Sequence, residues 1–345
     1  MTTEGKYIYG FISENKPRNL GSIGIDQGEV YIFPYQDIAA VVSDLPLIQF
    51  DSLPKETLLR NLAVYQFVIE NVMQSHNIIP MKFGTVVQGE EEVKRILENG
   101  HGRINTSLKE MKNKIEIDVV AFWDDFETVL KEIGEEEGIK KLKEEAASKA
   151  PDRIFQIKLN VGRLVKESLD KKREECASMI LEVLKKETEE HHVHSIMDDS
   201  MIMNNAFLIK KERYESFDEK VNQLDRHFRN GINFRIVGPL PPYSFGIFEV
   251  TKVEFRELND ARKILGIREE VTTPLEIKEI YWDLTKKFHP DKFPGDPEAQ
   301  KRFEKINKAY HVLIKYCQED HCSFKEAGVK GWMAVRPMNR LETVA

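Results

Sequence analysis

His289, Pro290 and Asp291, followed by Lys292, put an imidazole, a rigid ring, a carboxylate and an ammonium in four consecutive positions. Such a set presents polar and charged groups to another macromolecule, with the proline stiffening the backbone between them. A second polar concentration runs through Glu189, Glu190, His191, His192 and His194 to Asp198 and Asp199. These ligand types suit zinc or nickel, but the run lacks a sustained ligand spacing, and solvated residues at a helix end are the commoner origin of such a stretch. Cys317 and Cys322 stand five apart with no ligand pair nearby, so free thiols are expected. Glu90, Glu91 and Glu92, and Glu135, Glu136 and Glu137, read as helix starts favoured by the dipole. Gly84-Thr85 and Gly100-His101-Gly102 lack the glycine pattern and the lysine of a phosphate cradle. Neither catalysis nor a cofactor is expected.

The elements around the tripeptide are legible from apolar spacing. Ile277, Tyr281, Leu284 and Phe288 recur at intervals of four, three and four before it; Phe303, Ile306, Tyr310 and Leu313 recur at three, four and three after it. Two amphipathic helices then meet as an antiparallel hairpin with the polar tripeptide at its tip. With Ala261 to Ile267 as a short first helix ending at Leu265-Gly266, and Ile306-Asn307-Lys308-Ala309-Tyr310 in the last, residues 258–316 resemble the J-domain of DnaJ-class co-chaperones. The resemblance implies a transient electrostatic contact with an Hsp70 partner. On that resemblance, His289, Pro290 and Asp291 are expected to promote ATP hydrolysis on the partner, with Lys278, Lys286 and Lys287 as the positive patch. Two positions depart from the pattern: where J-domains carry a basic pair after the tyrosine of the second helix, this chain has Trp282 and Asp283. Residues 260–316 hold twelve Lys or Arg against ten Asp or Glu, net +2 in a chain of net −7, so the steering field is diluted.

The 345 residues, 41% hydrophobic and 32% charged, suggest two or three domains. The longest stretch without a charge, residues 236–248, is thirteen residues broken by three prolines, too short for a membrane span. Three cysteines and an N-terminal hexapeptide without an apolar core suggest a reducing cytoplasm. Net acidity without a basic cluster argues against nucleic acid.

Before residue 258 two blocks follow one another. The first has strand-like runs at 6–12, 30–35 and 38–43, a long amphipathic helix at 54–75, an apolar run at 78–87 and two charged helices. The second reads as a strand at 115–123, helical stretches at 124–147 and 152–190, strands at 192–197 and 201–210, a helix at 214–228 and a strand at 232–237. That order is close to the split βαβ, ferredoxin-like plan. The fold class expected is α+β: two α+β domains, 1–113 and 114–255, the second ferredoxin-like, then an all-α J-domain hairpin at 258–320 and a tail at 321–345 without usable periodicity.

Several landmarks in order resemble the gas vesicle F/L accessory protein family over residues 6 to about 250: Tyr7-Ile8-Tyr9-Gly10, Pro80-Met81-Lys82-Phe83-Gly84, Phe122-Trp123-Asp124 and Gly238-Pro239-Leu240-Pro241-Pro242-Tyr243-Ser244-Phe245. The resemblance implies a non-enzymatic, vesicle-associated protein that binds the hydrophobic gas vesicle shell protein, works beside other accessory proteins and assists assembly. Gly238, Pro239, Pro241, Pro242, Tyr243 and Phe245 form either a rigid corner closing the domain, which the residues favour, or an apolar edge for a client. With the fused J-like segment, the leading reading is an assembly factor that recruits Hsp70. The alternatives are a minor structural component whose J-like hairpin is only an interaction arm, and a general DnaJ-type co-chaperone.

Overall fold

Alternating apolar runs in the first fifty residues pair with one another, and the helices that follow cover them. In the computed structural model, the described residues are 4–47, 50–147, 151–229, 231–252, 255–270, 272–293, 296–317, 322–325 and 333–337. The chain divides into two compact units, Met1–Glu110 with Ile247–Glu342, and a second built on Met111–Gly246.

The first unit opens with β1 (Glu4–Ile12), β2 (Arg18–Gly21), β3 (Val30–Tyr35), β4 (Ile38–Pro46), α1 (Lys55–Met73), β5 (Ile78–Pro80), β6 (Val86–Gln88) and α2 (Gly89–Glu110). Its sheet runs β2-β3-β4-β1-β5, with β6 also on β1. Tyr7, Ile8, Tyr9, Phe11 and Ile12 are all fully buried, so the central strand is covered on both faces. Tyr65 of α1 packs on the rings of Tyr7 and Tyr9 at 6.4 and 6.3 Å. Three readings needed correction. The 78–87 run splits into two short strands at a turn, β2 is additional, and the two charged helices are the single helix α2, which passes straight through Gly100 and Gly102.

The second unit contains β7 (Lys114–Trp123), α3 (Phe126–Gly134), α4 (Glu137–Ala147), α5 (Pro151–Leu184), β8 (Glu190–Val193), β9 (Met201–Lys210), α6 (Tyr214–Phe228) and β10 (Ile232–Leu240). Sheet order is β10-β7-β9-β8, every neighbouring pair antiparallel, which is the arrangement the split βαβ plan expects. Ile117 lies opposite Phe207, and Phe207 meets Phe217 of α6 at 5.4 Å, so the helices cover that face. The period of two then sends Glu116 and Asp118 to the other face.

The chain returns to the first unit with β11 (Phe248–Lys252), α7 (Phe255–Leu265), α8 (Pro274–Lys287), α9 (Pro297–Tyr316) and β12 (Met333–Pro337). The tail without periodicity therefore contains a strand, and β12 pairs antiparallel with β11. The three helices close on Leu258, Leu265, Ile277, Ile306, Leu313 and Phe324. Among the described residues no helix is long and apolar enough to cross a membrane.

Candidate functional site

The tip of the helical hairpin is set by what stops α8. Thr273 accepts a hydrogen bond from the Glu276 N–H at 3.1 Å, Glu276 accepts one from the Thr273 N–H at 3.1 Å, and Pro274 occupies the first helical position. This capping box fixes where α8 starts and hence its phase. At the other end Pro290 has no N–H to continue the ladder, and a short 3₁₀ turn at Pro290–Lys292 takes over, with Lys292 N–H donating to His289 O at 3.0 Å. Asp296 then caps α9 by accepting from Glu298 N–H at 2.9 Å.

Contacts across the hairpin run in opposite chain directions, as an antiparallel pair requires. Tyr281 stacks on Tyr310 at 3.9 Å and donates to Asn307 Oδ1 at 3.0 Å, Arg302 lies over Phe288 at 5.1 Å, and His289 meets the Phe303 ring at 5.5 Å. His289 is exposed at the tip and Pro290 is half-buried; the side chain of Asp291 lies outside the described residues. Lys278, Lys286 and Lys287 are exposed on α8. Leu275, Glu279, Trp282 and Lys286 form the outward stripe of α8, directly opposite the buried Ile277. Trp282 is 54% exposed, and Lys278 Nζ stands 5.4 Å from its ring. A polar tip beside a mixed basic and apolar helix face suits reversible docking.

Cys317 and Cys322 are joined in a disulfide with Cα atoms 5.3 Å apart, which corrects the free-thiol expectation. The reason is tertiary. Residue 322 pairs with Thr272 through two backbone hydrogen bonds of 2.9 Å, and this brings the second sulfur back to the end of α9.

The proline run sits at the end of β10 in the second unit. Gly238, at φ +144°, lies where the β10 register against β7 shifts, and a Cβ there would come within 2.8 Å of Ile117 Cδ1, so glycine is required. Gly238 and Pro239 are exposed, Pro241, Pro242 and Phe245 are buried, and Tyr243 is half-buried. The anchor is Ser244, a residue sequence reasoning passed over. Its N–H and Oγ each donate to the Glu116 carboxyl at 2.7 Å, and its Oγ is 3.2 Å from His194 Nε2. Burial first, then the neighbouring carboxyl of Asp118, pushes Glu116 up to about 8, and burial also raises Asp118. Burial lowers His194, with His192 adding to the effect. Glu116 and Asp118 occupy alternate positions of one strand, which was the available signal for a same-face acidic pair. Among the described residues no three His, Cys, Asp or Glu side chains gather as a metal site.

A family model described as "Gas vesicle synthesis protein GvpL/GvpF" matches residues 5–246, and a "DnaJ domain" model matches residues 253–319. Gas vesicle protein F of Nostoc sp. is 23% identical over 248 residues, covering 70% of this chain and 98% of that protein. Gas vesicle protein F of Streptomyces sp. is 26% identical over 245 residues, covering 69% and 98%. Chaperone protein DnaJ of Chlamydia trachomatis is 50% identical over 54 residues, 16% of this chain and 14% of that protein. The crystal structure of GvpF from Anabaena sp. has the same fold, with a TM-score of 0.61 at 24% identity over 70% of this chain and 98% of that one.

Proposed function

This chain belongs to the gas vesicle synthesis protein GvpL/GvpF family, and from that premise we propose that it is an assembly factor which binds the hydrophobic shell protein and recruits an Hsp70 to it. Membership in the family together with the DnaJ domain gives the coarser statement, a gas vesicle assembly role with a chaperone-like domain. The observation that carries the finer one is the complete helical core behind an exposed His289, at the tip between α8 and α9. A tip of this kind acts by contact, and the bond-breaking chemistry stays on the partner.

The proline run serves this reading as a structural corner. Phe245 is 9% exposed and Ser244 is tied to Glu116, so little apolar surface remains there for a client. In the first unit α1 offers Leu59 and Phe67, 58% and 53% exposed and two turns apart, beside a groove lined by Ile23, Arg60, Val64 and Phe67. An apolar row of this length matches about two turns of a helical client.

Single-turnover ATP hydrolysis by the host Hsp70, with the unmodified chain and with His289→Gln, tests the proposal. The unmodified chain is expected to stimulate and the variant to lose the stimulation. No effect of the unmodified chain would sink the co-chaperone reading. Trp282 and Asp283 favour a second reading, in which the hairpin is an interaction arm of a minor vesicle component without Hsp70 activity; that outcome would support it.

A further inference from the structure

The two short strands that flank the helical domain lie outside both family matches. The first match stops at residue 246 and the second spans 253–319, whereas β11 is Phe248–Lys252 and β12 is Met333–Pro337. They pair residue for residue, from Phe248 opposite Pro337 to Lys252 opposite Met333. A two-stranded ribbon is marginal in water on its own, so something must support this one.

The support comes from the N-terminal part of the same unit. Phe248 is fully buried against Phe11 at 5.9 Å, and its carbonyl accepts from Lys82 N–H at 2.7 Å, which seats β11. On β12, Val335 is 3% exposed, and its Cβ lies 3.0 Å from where a Cβ on Gly100 would stand, so the glycine leaves room for α2 and the strand to pack closely. Arg103 of α2 donates to Val335 O at 3.0 Å. Arg336 is paired with Glu249 across the ribbon, and Lys82 Nζ is 3.9 Å from the same carboxylate. Glu249 is itself 9% exposed, and these two cations flank it.

We propose that β12 is a clasp: the C-terminal strand returns to the N-terminal part of the unit and holds the J-domain at both ends, fixing the pose of the docking tip. The entering connection strengthens the argument, since two residues separate Lys252 from Phe255 and span about 11 Å at most. A module on one flexible linker samples a large volume; one pinned by two paired strands delivers its partner to one place. The clasp rests on the co-chaperone reading for its purpose but not for its existence.

The test compares the unmodified chain with full-length Val335→Asp and with a chain ending after residue 325, which keeps Phe324 and the rest of the helical core. In both variants amide exchange in β11 is expected to accelerate about 100-fold while the helices α7, α8 and α9 keep their protection. Hsp70 stimulation without client is expected to stay unchanged, and stimulation with shell protein bound to the same chain to fall. β11 amides that exchange as fast in the unmodified chain as in the shortened one would overturn the clasp, and so would full client-bound stimulation by both variants. Failure of the co-chaperone reading shows separately, as no client-free stimulation by the unmodified chain, and amide exchange alone then decides the clasp.

Discussion

Glu116 is the residue at which local chemistry and stability meet most directly. Its carboxyl is 1% exposed, holds Ser244 through two hydrogen bonds and shares its surroundings with Asp118. The folded value is raised to about 8 from an ordinary 4.5, so between those limits the native state keeps a proton that the unfolded chain has released. Stability contributed by this site is present below pH 4.5 and is lost as pH rises towards about 8. Asp118, raised to about 6, adds to the slope in the lower part of that window. Urea midpoints at pH 5, 6, 7 and 8 are expected to decline steadily for the unmodified chain and less for Glu116→Gln; an equal slope in the variant would refute the assignment. The alternation of the strand already put the two acids on one face. Their burial was not legible, because the serine that closes over Glu116 lies 128 residues away.

At the scale of elements, α8 carries the exposed face that the proposed docking would use. Its inward stripe was readable from spacing alone, and the capping box explains why the helix begins at Pro274. Its outward stripe places Trp282 where a basic residue would strengthen a field, and Lys278 leans over the indole at 5.4 Å. Trp282→Lys adds positive charge at an exposed position without touching the core. Association with an acidic Hsp70 surface is then expected to speed up about threefold at low salt, the gain vanishing near 0.5 M salt. Stopped-flow association at two ionic strengths measures this, and an unchanged rate at low salt would show that Trp282 is outside the contact. Elsewhere spacing misled. Two charged helices were expected after the 78–87 run, but α2 is one helix, with Gly100 facing Val335.

The whole molecule joins a GvpL/GvpF-family body to a DnaJ domain within one chain, and its units divide unexpectedly: residues 247–342 group with the N-terminal part rather than standing apart. If the chain acts as one device, both parts are needed for vesicle formation. In cells lacking the native gene, a chain without residues 1–250 is expected to support no gas vesicles, and His289→Gln to support fewer. Normal vesicle numbers with His289→Gln would make the helical domain dispensable for assembly and favour the interaction-arm reading.

By itself the sequence determined the local periodicities, and through them most strands and helices, the polar tip at His289-Pro290-Asp291 and the two resemblances. These follow from side chains a few residues apart, where period and turn chemistry act directly. Tertiary structure decided what distant residues do to one another. It joined Cys317 to Cys322 through the pairing of Thr272 with residue 322, buried Glu116 under Ser244, and turned an aperiodic tail into a strand on β11. A five-residue strand has too little pattern of its own to be recognised; its conformation is stabilised by the surface of α2 and by β11, which only folding brings together.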